Sequence, residues 1–326
     1  MTDGPWSDVQ LRVLVPPDSS DAAERRSPCD ILSRMTYAVT DLLRLPPGAA
    51  PLSDLDPADT PGFGGSKKQA QQALNDLGEE LSELQARLYA DAYTGGSRRV
   101  LLVLQGMDTS GKGGVVDHVL GLVNPHGLRL KTFRKPTEDE LAHDFLWRIE
   151  RALPEPGVIG AFDRSHYEDV LIARVHELAQ ESEIERRYGA INDFEKKMVD
   201  GGMVVIKCML HISAEKQKER LLTRLEDPEK QWKFKPEDID ERAHWREYQR
   251  AYEVALRRCS TDAAPWYVVP SDHKWYRNWA VGQLLLEALR GMNLAWPKPD
   301  YDVEAQRTRL EHEEAGQHRE SKSGQR

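Results

Sequence analysis

Val100-Leu101-Leu102-Val103-Leu104-Gln105-Gly106-Met107-Asp108-Thr109-Ser110-Gly111-Lys112-Gly113-Gly114-Val115-Val116 passes from a short apolar run, through a glycine-rich turn, into an apolar helical pattern that continues at Val119 and Leu120. From Gly106 to Lys112 it spells G-x-x-x-x-G-K. Glycines so placed let backbone N–H groups converge on phosphate oxygens, the following helix offers its N-terminus, and the lysine reaches the outer phosphates. The expected phosphate contacts are therefore Gly106, Thr109, Ser110, Gly111, Lys112, Gly113 and Gly114. The Ser or Thr that ordinarily follows the lysine and ligates Mg2+ is here Gly113. Asp108, inside the loop, is the carboxylate that substitutes for it, because Mg2+ favours one or two carboxylates beside phosphate oxygens. A turn-forming Asp bonding its own backbone is the plainer alternative.

Four more short apolar runs follow, Leu130–Phe133, Val158–Phe162, Met203–Leu210 and Trp266–Val269, and they alternate with helical patterns. Such runs read as strands covered on both faces, and their alternation with helices gives a parallel, doubly wound sheet. Ligands of such sheets sit at the carboxyl ends of the strands. There the run Val158–Phe162 ends in Asp163-Arg164-Ser165-His166-Tyr167. Asp163 reads as a Walker-B-type metal ligand and Arg164 as a phosphate-gripping guanidinium; a surface ion pair between them is the competing reading. Met203–Leu210 leads into a basic helix with Lys216, Lys218, Arg220 and Arg224, broken at Asp227-Pro228. Arg220 and Arg224 are four apart and share a helix face, as a lid closing on phosphates requires, although the interleaved Glu215, Glu219 and Glu226 also suit a solvated face. Phosphoryl transfer asks a protein for positioning and cations rather than covalent chemistry. A loop lysine, two carboxylates for Mg2+ and mobile arginines supply that.

Upstream, Leu74, Leu77, Leu81, Leu84 and Leu88 line one face of a helix over roughly 67 to 92, either packed on the core or seeding a dimer contact. Residues 1–65, rich in Pro, Asp, Ser and Gly, read as an arm with one short helix from Ile31 to Leu45. Residues 66–301 form the catalytic domain, with a lid around 213–240, and the charged residues 302–326 form a solvated, disordered tail.

The chain has 326 residues, with 45 Lys and Arg against 54 Asp and Glu, a net charge of −9. That field is wrong for a general nucleic-acid or anionic-membrane binder, so an anionic ligand needs a local basic site. Cys29, Cys208 and Cys259 offer neither a disulfide framework nor paired zinc-ligand spacing. The first thirty residues hold no apolar signal region, and no apolar run approaches the ~18 residues of a membrane span. The expected setting is cytoplasmic.

The ordered motifs resemble the second family of polyphosphate kinases, P-loop enzymes that move phosphate between inorganic polyphosphate and nucleotides. The resemblance spans Leu42 to Tyr301 and is carried by the phosphate loop, Val123-Asn124-Pro125-His126-Gly127, Ala142-His143-Asp144-Phe145-Leu146-Trp147-Arg148, Asp163-Arg164-Ser165-His166-Tyr167-Glu168-Asp169-Val170, Asp227-Pro228-Glu229-Lys230-Gln231-Trp232-Lys233 and Ser271-Asp272-His273-Lys274-Trp275-Tyr276-Arg277-Asn278. It implies a three-layer α/β/α, thymidylate-kinase-like domain with a helical lid. It further implies Mg2+ on Asp108 and Asp163, catalytic roles for Lys112, Arg164, Arg220 and Arg224, and a basic polyphosphate groove to which Arg129, Lys131, Arg134, Lys135, Lys230 and Lys233 are the candidates. AMP, ADP and ATP are the implied nucleotides, and a dimer or tetramer the implied assembly. The segments at Val123 and Phe133 look closest to members acting on both AMP and ADP, although many of those carry an acidic residue where this chain has Gly113.

Direct in-line transfer needs no general base, because the nucleotide's terminal phosphate is already ionised. His166, close to Asp163, offers a phosphohistidine alternative. An ATP-dependent nucleoside monophosphate kinase of the same fold and a non-catalytic nucleotide or polyphosphate sensor are the remaining alternatives.

Overall fold

The computed structural model describes residues 38–45 and 52–312. Strands β1 (Arg99–Gln105), β2 (Leu128–Thr132), β3 (Ile159–Asp163), β4 (Met203–His211) and β5 (Trp266–Pro270) form one parallel sheet in the order β2-β3-β1-β4-β5. The apolar runs placed all five. One expectation fails at β2, which should be covered on both faces but has four of its five residues exposed. It is one of the two edge strands of the sheet, and Arg129 and Lys131 on it discourage pairing with another chain.

The helices are α1 (Val39–Leu43), α2 (Lys67–Tyr93), α3 (Lys112–His118), α4 (Glu138–Leu141), α5 (Trp147–Glu150), α6 (Glu168–Val175), α7 (Glu181–Asp200), α8 (Ala214–Glu226), α9 (Glu237–Ala243), α10 (Trp245–Cys259) and α11 (Lys274–Gly291). The alternation of side chains along a strand sends Leu101 and Val103 of β1 to the layer containing α6, α7 and α10. The layer of α2, α3 and α11 covers the other face, giving the three-layer α/β/α architecture. Helix α2 begins at a capping box in which Ser66 and Gln69 satisfy each other's backbone N–H. Its leucine stripe is buried against α11, with Leu81 and Leu88 fully inaccessible. The stripe is therefore used inside the chain and is not a free dimer seam.

Residues 38–65 differ from the expected arm. The described residues 38–45 and 52–65 belong to the same compact unit as the sheet. Glu287 accepts from the N–H groups of Val39 and Thr40, and Arg44 forms an isolated antiparallel bridge to Tyr267 of β5. His211 contacts the Leu55 carbonyl at 3.0 Å, and the Tyr276 hydroxyl donates to the Pro61 carbonyl at 2.8 Å. Phe63 packs on Trp279 with ring centroids 4.8 Å apart. The remainder of the expected arm, including Ile31, lies outside the described residues. Of the expected tail, Asp302 is exposed, residues 303–312 form an exposed helix, and residues 313–326 lie outside the described residues. Because Phe63 is buried, Phe63→Ala is expected to cost about 3–5 kcal/mol in urea unfolding. A cost within error of zero would remove this segment from the core.

Candidate active site

Strand β1 ends at Gln105, and the chain turns through Gly106 to Ser110 into α3, whose N-cap is Gly111 at φ +112°. Thr109 also adopts a positive φ, +62°, a conformation that costs a β-branched residue and is kept only where neighbours impose it. The neighbours are Gln217, whose amide donates to the Asp108 carbonyl at 3.1 Å, and Arg220, which donates to the Thr109 carbonyl at 2.8 Å. The hydroxyl oxygens of Thr109 and Ser110 are buried without a hydrogen-bond partner among the described residues. Orphaned hydroxyls are costly unless a ligand satisfies them. Lys112 is buried, and its Nζ donates to the Gly106 carbonyl at 2.7 Å. Burial pushes its pKa down, and Asp108 opposes that shift.

The glycines on either side of Lys112 have different reasons. A Cβ on Gly111 would lie 1.7 Å from Arg277 Nη1, and one on Gly114 would lie 2.5 Å from Arg277 Nη2, whereas a Cβ on Gly113 would meet nothing within 4 Å. Gly111→Ala is therefore expected to lose at least about 2 kcal/mol, from its positive φ and the clash together. Gly113→Ala should stay within about 1 kcal/mol of the parent. Equal urea midpoints for the two variants would contradict this account.

Asp163 ends β3, paired with Leu104 of β1, and so lies beside the strand end from which the glycine-rich loop departs. Arg164 follows at φ +64°, its backbone N–H bonded to the Leu104 carbonyl at 3.0 Å and its Nη2 donating to Asp108 Oδ1 at 3.1 Å. Burial works against the charge on Asp108, but Lys112, Arg164 and Arg224 outweigh it and hold the carboxyl below its ordinary range. Burial likewise opposes the charge on Arg164, yet Glu168, Asp108 and Asp163 raise its pKa. Glu168 moves the other way, pushed up by burial against Arg164 and Lys112. Among the described residues no three His, Cys, Asp or Glu side chains converge closely enough to hold a metal. A chelating cage is thus not what this site offers, whereas Mg2+, which takes one or two carboxylates and fills its shell with phosphate and water oxygens, fits Asp108 and Asp163. His166 is fully buried and hydrogen-bonded to Glu195 at 3.2 Å, out of reach of a phosphate donor.

The expected lid comprises α8, a short 3-10 turn at Gln231–Lys233 and α9. Arg224 is partly exposed, donates to the Lys233 carbonyl and Asp238, and is close enough to Asp108 to lower its pKa. Arg220 departs from the mobile lid arginine expected at its position. It is buried and donates to four carbonyls, those of Thr109 (2.8 Å), Ser110 (3.2 Å), Ser271 (2.6 Å) and Asp272 (3.0 Å). Carbonyls turned inward by the two loops need donors, and this guanidinium supplies them. Arg134 and Lys135 are exposed just beyond β2, and Lys230 and Lys233 are exposed on the lid. Lys230 is paired with Asp227, and Lys233 lies 5.0 Å from the ring of the exposed Trp232. Asp108, Lys112, Asp163 and Arg164 are thus brought together, Arg224 approaches them, and the four outer cations stay at exposed positions.

The family model of polyphosphate kinase 2 (PPK2) matches residues 64–296. The chain belongs to the polyphosphate kinase 2 family. Its structure is similar to the crystal structure of polyphosphate kinase 2 from Arthrobacter aurescens TC1, with a TM-score of 0.84 and 48% identity over 86% of this chain and 98% of that one. It is 45% identical to the AMP/ADP-polyphosphate phosphotransferase of Meiothermus ruber over 78% of this chain and 94% of the relative. It is 39% identical to the ADP-polyphosphate phosphotransferase of Rhodopseudomonas palustris over 74% of this chain and 86% of the relative.

Two features of this polyphosphate kinase 2 site escaped the reading of motifs. Glu168, in the first turn of α6, shares the field of Arg164 and Lys112. Its signal was an acid on the first turn after a Walker-B-type strand, which is also the ordinary sign of a carboxylate favouring a helix N-terminus. Gln105 donates to Ser165 Oγ at 3.0 Å, tying the end of β1 to the turn after Asp163. Neither residue type advertises that contact in sequence.

Proposed function

We propose that this chain transfers phosphoryl groups between inorganic polyphosphate and adenine nucleotides, taking AMP to ADP and ADP to ATP, with Mg2+ bound by Asp108 and Asp163. The observation that carries this reading is the convergence of Asp108, Lys112, Asp163 and Arg164 at the adjoining carboxyl ends of β1 and β3. The names of the relatives in Meiothermus ruber and Rhodopseudomonas palustris support the donor and acceptors. A terminal oxygen of the nucleotide attacks the terminal phosphorus of the polyphosphate. A new P–O bond forms as the bridging P–O bond breaks, and the shortened polyphosphate leaves as an oxyanion. The attacking oxygen is already ionised, so no base is needed, and the burial of His166 favours this direct route over a phosphohistidine. The N–H groups of the loop and the hydroxyls of Thr109 and Ser110 orient the phosphates. Lys112, Arg164 and Arg224 neutralise charge on the transferring group. Mg2+ held by Asp108 and Asp163 would add further neutralisation of phosphate charge.

The path of the polyanion outside the site is read from its cations. Arg129, Lys131, Arg148 and Arg151 line a groove of about 380 Å³ beside the edge strand. Arg134 and Lys135 lead from that strand, and Lys230 and Lys233 face solvent from the lid. A cytoplasmic setting belongs to the same reading: Cys208 and Cys259 are free and buried, and among the described residues no helix is long and apolar enough to cross a membrane. The homo-oligomer that the resemblance implies would use a surface other than the stripe of α2.

The test is product formation by the purified chain with long-chain polyphosphate and Mg2+, supplied with AMP or ADP separately. ADP or ATP should appear in proportion to enzyme. Inert polyphosphate, with ADP formed from ATP plus AMP, would replace this reading by a nucleoside monophosphate kinase; binding without any turnover would replace it by a sensor.

A further inference from the structure

Arg277 lies in the first turn of α11 and is 2% exposed. Its Nη1 donates to the Ser110 carbonyl at 3.1 Å, and its Nε and Nη2 donate to Asn278 Oδ1 at 3.1 and 2.8 Å. The guanidinium occupies the hollows left by Gly111 and Gly114, so one side chain packs behind the loop backbone on both sides of Lys112. All of these acceptors are neutral, and so are the four carbonyls that hold Arg220. Burial, with Arg220 adding to it, pushes the pKa of Arg277 down to about 9. Burial also lowers that of Lys274, with Arg220, Arg277 and Lys230 adding to it. Several cations thus crowd a loop that also carries two buried, unpartnered hydroxyls, those of Thr109 and Ser110. A buried charge facing only neutral dipoles is costly unless a counter-ion reaches its field.

We infer that Arg277 is a positioning residue of the phosphate loop, bracing Gly111 to Gly114 from behind and supplying a fixed positive charge whose counter-ion is the phosphate bound in front. The inference rests on the loop being the phosphate site proposed above, and it adds a residue that does not touch the substrate. It also explains the second glycine after the lysine: Gly114 makes room for this guanidinium, which Gly113 has no part in doing.

The experiment is calorimetric binding of inorganic tripolyphosphate to the full chain, with melting temperatures measured with and without it. Arg277→Met should weaken binding at least about tenfold, the loss expected for one charge at short range in a partly screened interior. Ligand-induced stabilisation should shrink, while the ligand-free melting temperature holds or rises. Arg277→Lys, which keeps the charge, should bind within about threefold of the parent. Gly114→Ala, which keeps the charge but displaces the guanidinium, should weaken binding without unfolding a helical segment. Parental affinity in Arg277→Met, or a lowered ligand-free melting temperature with affinity unchanged, would overturn the inference. If Arg277→Met does not fold, parental affinity in Gly114→Ala overturns it. Failure of the unsubstituted chain to bind tripolyphosphate is a separate outcome, which removes the phosphate-loop reading itself and this inference with it.

Discussion

Asp163→Asn is expected to slow polyphosphate-driven nucleotide phosphorylation by on the order of a hundred- to a thousandfold, with little change in the urea midpoint. The amide keeps the shape of the carboxylate at the end of β3, opposite Leu104, so the backbone pairing there is unaffected. What goes is a negative charge that helps to hold Arg164 and Lys112 in their charged forms. With it goes one of the two proposed oxygen ligands for Mg2+. Asp108→Asn should act similarly, and the double variant should be only slightly worse than either single one, because groups serving one metal are not additive. A Mg2+ titration of the rate separates metal loss from misplacement of phosphate, since excess metal should partly rescue the former. A parental rate in Asp163→Asn would take this residue out of the reaction.

The largest expected effect on stability lies behind the site. Lys207, on β4, donates to Glu195 Oε2 at 2.5 Å, to the Tyr167 hydroxyl at 2.9 Å and to the Cys259 carbonyl at 2.7 Å, and Lys207, Glu195 and Tyr167 are all fully buried. The Tyr167 hydroxyl donates to Glu195 Oε1 at 2.8 Å. Lys207→Met should destabilise the chain by roughly 3–5 kcal/mol, because it strands a buried carboxylate. The double variant Lys207→Met with Glu195→Gln should recover much of that loss, since no unpaired charge remains. Burial opposes the charge on Glu195, but Lys207 and His166 outweigh it and hold the carboxyl below its ordinary value of 4.5. Its contribution is therefore complete above the unfolded-state value and is lost as pH falls through the lower folded-state value. Urea midpoints of parent and Glu195→Gln should thus converge on acidification through that window. A gap independent of pH would show that the carboxylate contributes no charge-dependent stability.

The glycine-rich turn after β1, the five strands, the Asp163-Arg164 pair at the end of β3 and the break after α8 at Asp227-Pro228 were legible in sequence because each depends on local order. A glycine spacing, a short apolar run and a helix-breaking proline act within a few residues of themselves. The surroundings of each strand were less legible. β2 carries the same kind of apolar start as its neighbours but lies at the edge, and strand order is a long-range property that runs of hydrophobic residues do not encode. Residues 38–65 have the composition of a loop, and only in the fold do Val39, Leu52 and Phe63 find the surfaces that bury them.

The two lid arginines draw the same line most sharply. Four residues along a helix is an offset of about 40°, so Arg220 and Arg224 share a face as the pattern required. Yet Arg224 faces partly to solvent, while Arg220 is spent on carbonyls 111 and 51 residues away in sequence. Local order was enough to read the glycine-rich turn after β1 with its Asp108 and Lys112, and Asp163 at the end of β3. Which of the two arginines is buried against the loop's carbonyls and which stays partly exposed depends on the fold, because hydrogen-bond partners distant in the chain are chosen by packing and leave no periodic trace.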